Sequence, residues 1–191
     1  MRPRRERIFV LLLLLLAAVS GFILIRAMEW KRDRLAPAPP GPTSIPVPEA
    51  KRSLRIFYLS PDEENLQEEL REVKAGGTVH EEAMQALSEL LKGPQSNLLS
   101  PLPPGTKVRH FFLDREGTAY VDFGPELRKN HPGGSKAEIL SIYSIVDTLA
   151  YNFEQIRRVQ ILIEGAEVDT LSGHLDLRKP LEPRLDFGES S

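Results

Sequence analysis

Residues Thr118–Gly165 read TAYVDFGPELRKNHPGGSKAEILSIYSIVDTLAYNFEQIRRVQILIEG. Thr118–Phe123 is rich in β-branched and aromatic residues and predicts a strand. Pro125–Gly134 is polar and glycine-bearing, so it reads as a surface loop. Ser135-Lys-Ala-Glu138 has the S-x-x-E spacing of a capping box, in which the Ser hydroxyl and the Glu carboxylate each satisfy an orphan backbone N–H. Behind it Ile139, Ile142, Tyr143, Val146, Leu149, Ala150 and Phe153 recur at i, i+3, i+4, i+7, i+10, i+11 and i+14. That stripe, widened by Leu140 and Ile145, predicts a deeply packed helix. Arg158–Glu164 is the next strand, stopped by Gly165.

Working upstream, Thr106–Leu113 is β-rich and precedes the turn Asp114–Gly117, so with Thr118–Phe123 it predicts an antiparallel hairpin. Gln95–Gly105 is a loop holding Leu102-Pro103-Pro104. Thr78-Val-His-Glu81 is another capping box, and Val79–Lys92 has an apolar face of Val79, Ala83, Leu87, Leu90 and Leu91, ended by Gly93-Pro94. Ser53–Ser60 is a strand. Asn65–Lys74 fits either a short helix or an irregular strand, because Leu66, Leu70 and Val73 sit at i, i+4 and i+7. Downstream, Ala166–Leu171 is short and irregular, His174–Leu177 a weak strand, and the segment from Lys179 a loose tail. The order β(β)αββαβ predicts an α/β fold: one mixed sheet with the two main helices packed on one face.

The N-terminal part is of a different kind. Ile8–Ile25, IFVLLLLLLAAVSGFILI, holds no charge and would span roughly 27 Å as a helix, enough for a thin bilayer. Arg2, Arg4, Arg5 and Arg7 precede it, and Arg26, Lys31, Arg32 and Arg34 follow it, so the flanking cations are balanced. An uncleaved signal-anchor is the leading expectation: 1–7 a basic cytoplasmic tail, 8–25 a single transmembrane pass in the bacterial cytoplasmic membrane, and the rest extracytoplasmic. A cleaved signal and a cytoplasm-facing domain are the alternatives. Residues 26–52 form a basic flank and a linker with prolines at 37, 39, 40, 42, 46 and 48, which suits an extended spacer better than a ligand for SH3-like grooves. Residues 53–178 are then the globular domain and 179–191 its tail.

Residues 1–52 carry 10 Lys/Arg against 4 Asp/Glu, whereas 53–191 carry 15 against 23. An acidic domain repels phosphate backbones, which argues against nucleic-acid binding. The absence of cysteine removes disulfides, thiol nucleophiles, thiolate metal sites and a lipid-modified Cys anchor. His80, His110, His131 and His174 form no H-x-x-x-H or H-E-x-x-H pattern, and His80 and His131 read as solvated. Ser100, Ser141 and Ser144 lack a base at any recognisable spacing. The pairs Glu63-Glu64, Glu68-Glu69 and Glu81-Glu82 read as solvated faces. Gly76-Gly77 and Gly133-Gly134 match no nucleotide-binding pattern and serve turn geometry. Asp122 stands out because Asp is disfavoured in strands; it reads either as a sheet-end hydrogen-bonding residue or as a recognition or catalytic group. The expectation is therefore a protein with no catalytic, cofactor-binding or metal-ligating residues.

LLKGP (Leu90–Pro94), LPPGTKV (Leu102–Val108), AYVDF (Ala119–Phe123), the Gly133–Glu138 block, SIVDTLAYNF (Ser144–Phe153) and VQILIEG (Val159–Gly165) occur in one order. Together they closely resemble the GerMN domain of sporulation and germination proteins, over roughly Leu54–Leu177. The resemblance implies a small extracytoplasmic α/β domain, with Arg71 in a strand before the first helix, and it brings no catalytic residues with it. It implies a membrane-anchored, non-catalytic envelope protein whose domain contacts another envelope protein or peptidoglycan. A peptidoglycan-active enzyme using Asp122 and a Glu, and a small-ligand sensor, are the alternatives.

Overall fold

The computed structural model describes residues 3–34 and 50–184, with the side chains of the first helix described over 14–30. The chain falls into two compact units, Met1–Val47 and Pro48–Ser191. The described part of the first is one helix, α1 (Pro3–Arg34), which contains the whole of Ile8–Ile25 and continues past it in both directions. Among the described residues no helix is long and apolar enough to cross a membrane; the described side chains begin at Leu14, part-way through the run. From Leu14 to Ile25 the large apolar side chains are exposed. The proline-rich linker at 35–49 lies outside the described residues.

The second unit opens with β1 (Lys51–Leu59) and β2 (Leu66–Lys74), paired antiparallel from Lys51↔Lys74 to Leu59↔Leu66. The ambiguous 65–74 segment is thus a strand: Leu66 and Val73 are buried while Leu70 is 64% exposed, so the helical spacing of the three is coincidental. The helix α2 (Val79–Lys92) carries the full Thr78/Glu81 capping box. The strands β3 (Val108–Leu113) and β4 (Thr118–Phe123) form the expected hairpin, with a bulge between Val108 and His110. The loop expected at Pro125–Gly134 contains a single helical turn, α3 (Glu126–Lys129), because Leu127 is drawn wholly into the core. Next comes α4 (Ser135–Ala150), then β5 (Arg158–Ile163) parallel to β4, then the two-residue β6 (Ala166–Glu167). Glu164 (φ 53) and Gly165 (φ 80) make the left-handed turn between β5 and β6. The strand expected at His174–Leu177 is absent.

The single mixed sheet is a correction: the strands form two sheets, β1–β2 and β3–β4–β5–β6. Both long helices touch β1, and they also contact the four-stranded sheet, α2 through β3 and α4 through β5, so the helices form a layer between sheets rather than a cover on one. The cause is visible in α4, where every residue from Leu140 to Leu149 is buried. A helix apolar on one stripe would need one sheet; this one is wrapped all round.

Thr148 of that wrapped helix and Asn152, just past its end, close the edge of β1. Thr148 Oγ1 accepts from Phe57 N at 3.1 Å, and Asn152 Oδ1 accepts from Arg55 N at 2.9 Å while its Nδ2 donates to Arg55 O at 2.6 Å. Leu59 then exchanges two 2.9 Å backbone bonds with Leu99. An edge that would otherwise present unpaired peptide groups is thereby satisfied by side chains. Asn152→Ala removes both bonds to the exposed Arg55 peptide and should cost about 1 kcal/mol in denaturant titration, with faster amide exchange at Arg55. An unchanged unfolding midpoint would contradict this account of the edge.

A candidate binding groove beside the start of helix 4

Leu99–Pro104, in the loop Gln95–Gly105, form one wall of a groove of about 760 Å³. Its proline residues have no N–H to offer, and its carbonyls are satisfied from outside. Ser141 Oγ donates to Pro101 O (2.6 Å), Thr106 Oγ1 to Pro103 O (2.7 Å) and Asn130 Nδ2 to Pro104 O (3.1 Å). The result is a stiff wall of Pro and Leu. The groove is also lined by Gly133–Ala137 at the start of α4, by Leu140 and Ser141 further along it, and by Leu59 and Glu63. Lys136 of the helix start pairs with Glu64 of the β1–β2 turn.

His131 is tethered here rather than solvated. Its Nδ1 accepts from Gly133 N (3.1 Å) and faces Ser172 Oγ (2.9 Å), while Nε2 lies 3.2 Å from Ser141 Oγ. Because a backbone N–H donates to Nδ1, the neutral ring carries its proton on Nε2 and donates it to Ser141, whose own proton goes to Pro101 O. The hydroxyl is therefore next to a donor, not a base. Burial lowers the His131 pKa, against an opposing pull from Glu138. The folded value lies below the ordinary 6.5, so its contribution to stability is present above that pH and is lost as pH falls.

Glu138, expected in a capping box with Ser135, does something else. The helix begins at Ser135 itself, with Gly134 (φ 88) as N-cap and no side-chain cap bond. The carboxylate is fully buried and accepts from Leu171 N (2.8 Å), Ser172 N (3.0 Å) and His174 N (2.9 Å), with His174 Nδ1 at 3.2 Å. Burial raises its pKa, but the three backbone donors and His174 outweigh burial and hold it below the usual carboxylate range. Sequence spacing alone could not separate a cap from this inward-facing anchor.

Asp122 lies on the other side of the four-stranded sheet from the core stripe Ala119, Val121 and Phe123. Its Oδ1 accepts from Gly165 N (2.7 Å), fastening β4 to the β5–β6 turn, and Oδ2 faces His110 Nδ1 (3.2 Å) and Arg109 Nη1 (3.4 Å). The acidic pairs are not uniformly solvated either: Glu82 is buried against Arg52, and Glu69 is bound by the Gln95 and Ser96 peptides. His80 packs edge-on to Phe111 at 5.4 Å. Ser144 Oγ donates to Ser141 O, within its own helix. Among the described residues no cluster of three or more His, Asp or Glu could hold a metal ion.

Asp147 is a titratable group that the sequence reading passed over. Only 1% exposed on α4, it accepts from Arg184 N at 3.0 Å through Oδ1, while Oδ2 has no hydrogen-bond partner among the described residues. With Leu181 paired to Val159, this contact ties down the start of the segment expected to be a loose tail. Burial pushes the Asp147 carboxyl up to about 7, against the pull of Arg184. A folded value above the ordinary 3.8 means that its contribution is full below that pH and is lost as pH rises through about 7. Asp147→Asn removes the titration, so the variant should gain on the wild type in thermal midpoint between pH 5 and pH 8. A constant difference across that range would refute the assignment.

The family model Germane, described as sporulation and spore germination, matches residues 55–169. The chain belongs to the Germane family. The matched span runs from β1 to just beyond β6 and includes every wall of the groove. Among solved structures, the first GerMN domain of the sporulation protein GerM from Bacillus subtilis aligns with 71% of this chain and 99% of its own, at 20% identity and a TM-score of 0.53. The tandem GerMN domains of the same protein align with 70% of this chain and 46% of theirs, at 19% identity and a TM-score of 0.54. At these identities the likeness is one of fold: this chain carries a Germane domain of the same architecture. No curated protein matches the chain.

Proposed function

We propose that this chain is a membrane-tethered, non-catalytic cell-envelope protein whose Germane domain holds a segment of another envelope protein in the groove beside α4. The observation that carries the reading is the groove itself: a stiff Pro/Leu wall and a glycine-lined helix start, with Ser141 on its lining receiving a proton from His131 instead of facing a base. Such a surface recognises shape and peptide groups. Tethering rests on Ile8–Ile25, an uncharged run inside a 32-residue helix, flanked by cations at both ends. The domain lies C-terminal to the run and is placed outside the cytoplasm in this reading, in keeping with a sporulation and germination family.

A photo-cross-linking residue at Pro104 or Lys136 in the intact chain should give a discrete adduct in native envelopes, absent when the probe stands at exposed Glu154. Adducts at Glu154 alone, or none from the groove, would sink the proposal. A reporter fused after Ser191 that is active only in the cytoplasm would overturn the orientation.

A further inference from the structure

The C-terminal third of α1 supports an inference that rests on the tethering reading above. At 1.5 Å per residue the apolar run covers roughly 27 Å, yet the helix continues for RAMEWKRDR, Arg26–Arg34, roughly another 13 Å. A bilayer offers about 30 Å of hydrocarbon within about 40–45 Å overall, so the extra turns match the headgroup layer. Met28 and Trp30 in these turns are 73% and 67% exposed, and Arg26 lies 3.5 Å from Glu29. The sequence of the segment holds Arg26, Lys31, Arg32 and Arg34 against Glu29 and Asp33, a balance of +2. Trp30 stands five residues beyond Ile25, roughly 7.5 Å along the axis. Helical side chains lean toward the N-terminus, which brings the indole back toward the hydrocarbon boundary. Indole rings favour that level, and cations there attract anionic lipid.

We propose that Arg26–Arg34 is a lipid-headgroup contact: Trp30 sits at the boundary of the leaflet that the run reaches at Ile25, and the surrounding cations gather anionic phospholipid headgroups. The charge is complementary, since the segment is basic and the surface acidic. Residues 53–191, with 15 Lys/Arg against 23 Asp/Glu, bring no such attraction.

Trp30 is the chain's single tryptophan, so the full chain reports on its own depth. In vesicles of phosphatidylcholine mixed with phosphatidylglycerol, lipids brominated near the headgroup should quench its emission more than lipids brominated at the chain ends, and aqueous iodide should have little effect. Energy transfer to headgroup-labelled phosphatidylglycerol should exceed transfer to equally labelled phosphatidylcholine by roughly twofold. That excess should vanish in high salt and in the combined variant Arg26→Gln, Lys31→Gln, Arg32→Gln, Arg34→Gln, which keeps the apolar run. Insertion with iodide-quenched Trp30 and equal transfer to both lipids overturns the headgroup contact and leaves tethering standing. A chain that fails to float with either vesicle overturns both.

Discussion

Glu138→Ala is expected to destabilise the unit Pro48–Ser191 by about 4 kcal/mol, because three backbone N–H groups lose their acceptor and each orphan costs roughly 1–3 kcal/mol. The donors belong to Leu171, Ser172 and His174, so the loss concentrates on the segment past β6, which should become the first site of proteolysis. Glu138→Gln separates charge from hydrogen bonding. Its oxygen still serves Leu171 and Ser172, but its amide faces His174 N donor to donor, so it should fall between wild type and alanine. The pH response is also fixed in sign: a folded pKa below the ordinary 4.5 contributes stability above that value, lost as pH falls through the folded one. Urea titration of the three proteins at neutral pH tests the ranking. An alanine variant within 1 kcal/mol of wild type, taken as roughly the value of a single hydrogen bond, would show that water replaces the carboxylate.

Arg71→Ala should cost about 3–5 kcal/mol, the usual penalty for removing one member of a buried ionic group. The guanidinium is 4% exposed, donates to Gly93 O at 2.8 Å, and stands beside Glu69 and Glu89 with its charge over the Tyr58 ring. Glu69 in turn receives the Ser96 hydroxyl and the Gln95 and Ser96 peptides; burial works against its ionisation, but these donors and Arg71 bring it down to about 2. Burial pushes the Tyr58 hydroxyl up to about 12, and it donates to Glu89 O at 2.6 Å. One cation thus joins β2, the end of α2 and the loop that becomes the groove wall. Removing it leaves Glu69 and Glu89 facing each other. Glu69→Gln and Glu89→Gln added to Arg71→Met should recover a good part of the loss, whereas Arg71→Met alone should not. Equal stability of Arg71→Met and the triple variant would refute the ionic account.

The two results share a lesson about what the sequence could reveal. Periodicity located α2 to the residue and both strands of the β3–β4 hairpin, because apolar spacing and Gly/Pro punctuation are local signals. The two-sheet arrangement was not local. It depends on Thr148, a polar residue on an apolar helix, and Asn152, just past its end, reaching a strand about ninety residues earlier. Glu138 matched a capping spacing while serving a loop 33 to 36 residues away, and His131 looked like a solvated loop residue until Ser141 and Ser172 were brought to it. Asp122 carried a usable signal, an acidic side chain in a strand, and the structure gives it the Gly165 peptide. Asp147 carried none, being one polar residue among many on a helix. Glu138, Thr148 and Asp122 are buried with partners far along the chain, so local pattern cannot assign those partners.

A helix buried all round from Leu140 to Leu149 also bears on when its neighbours can be covered. β1 is complete by Leu59, but the helix that covers its edge ends at Ala150 and the strand beneath that helix ends at Ile163. Closing a loop of that length costs entropy before these contacts repay it, so the edge of β1 stays uncovered until Asn152 and the strand ending at Ile163 have been made.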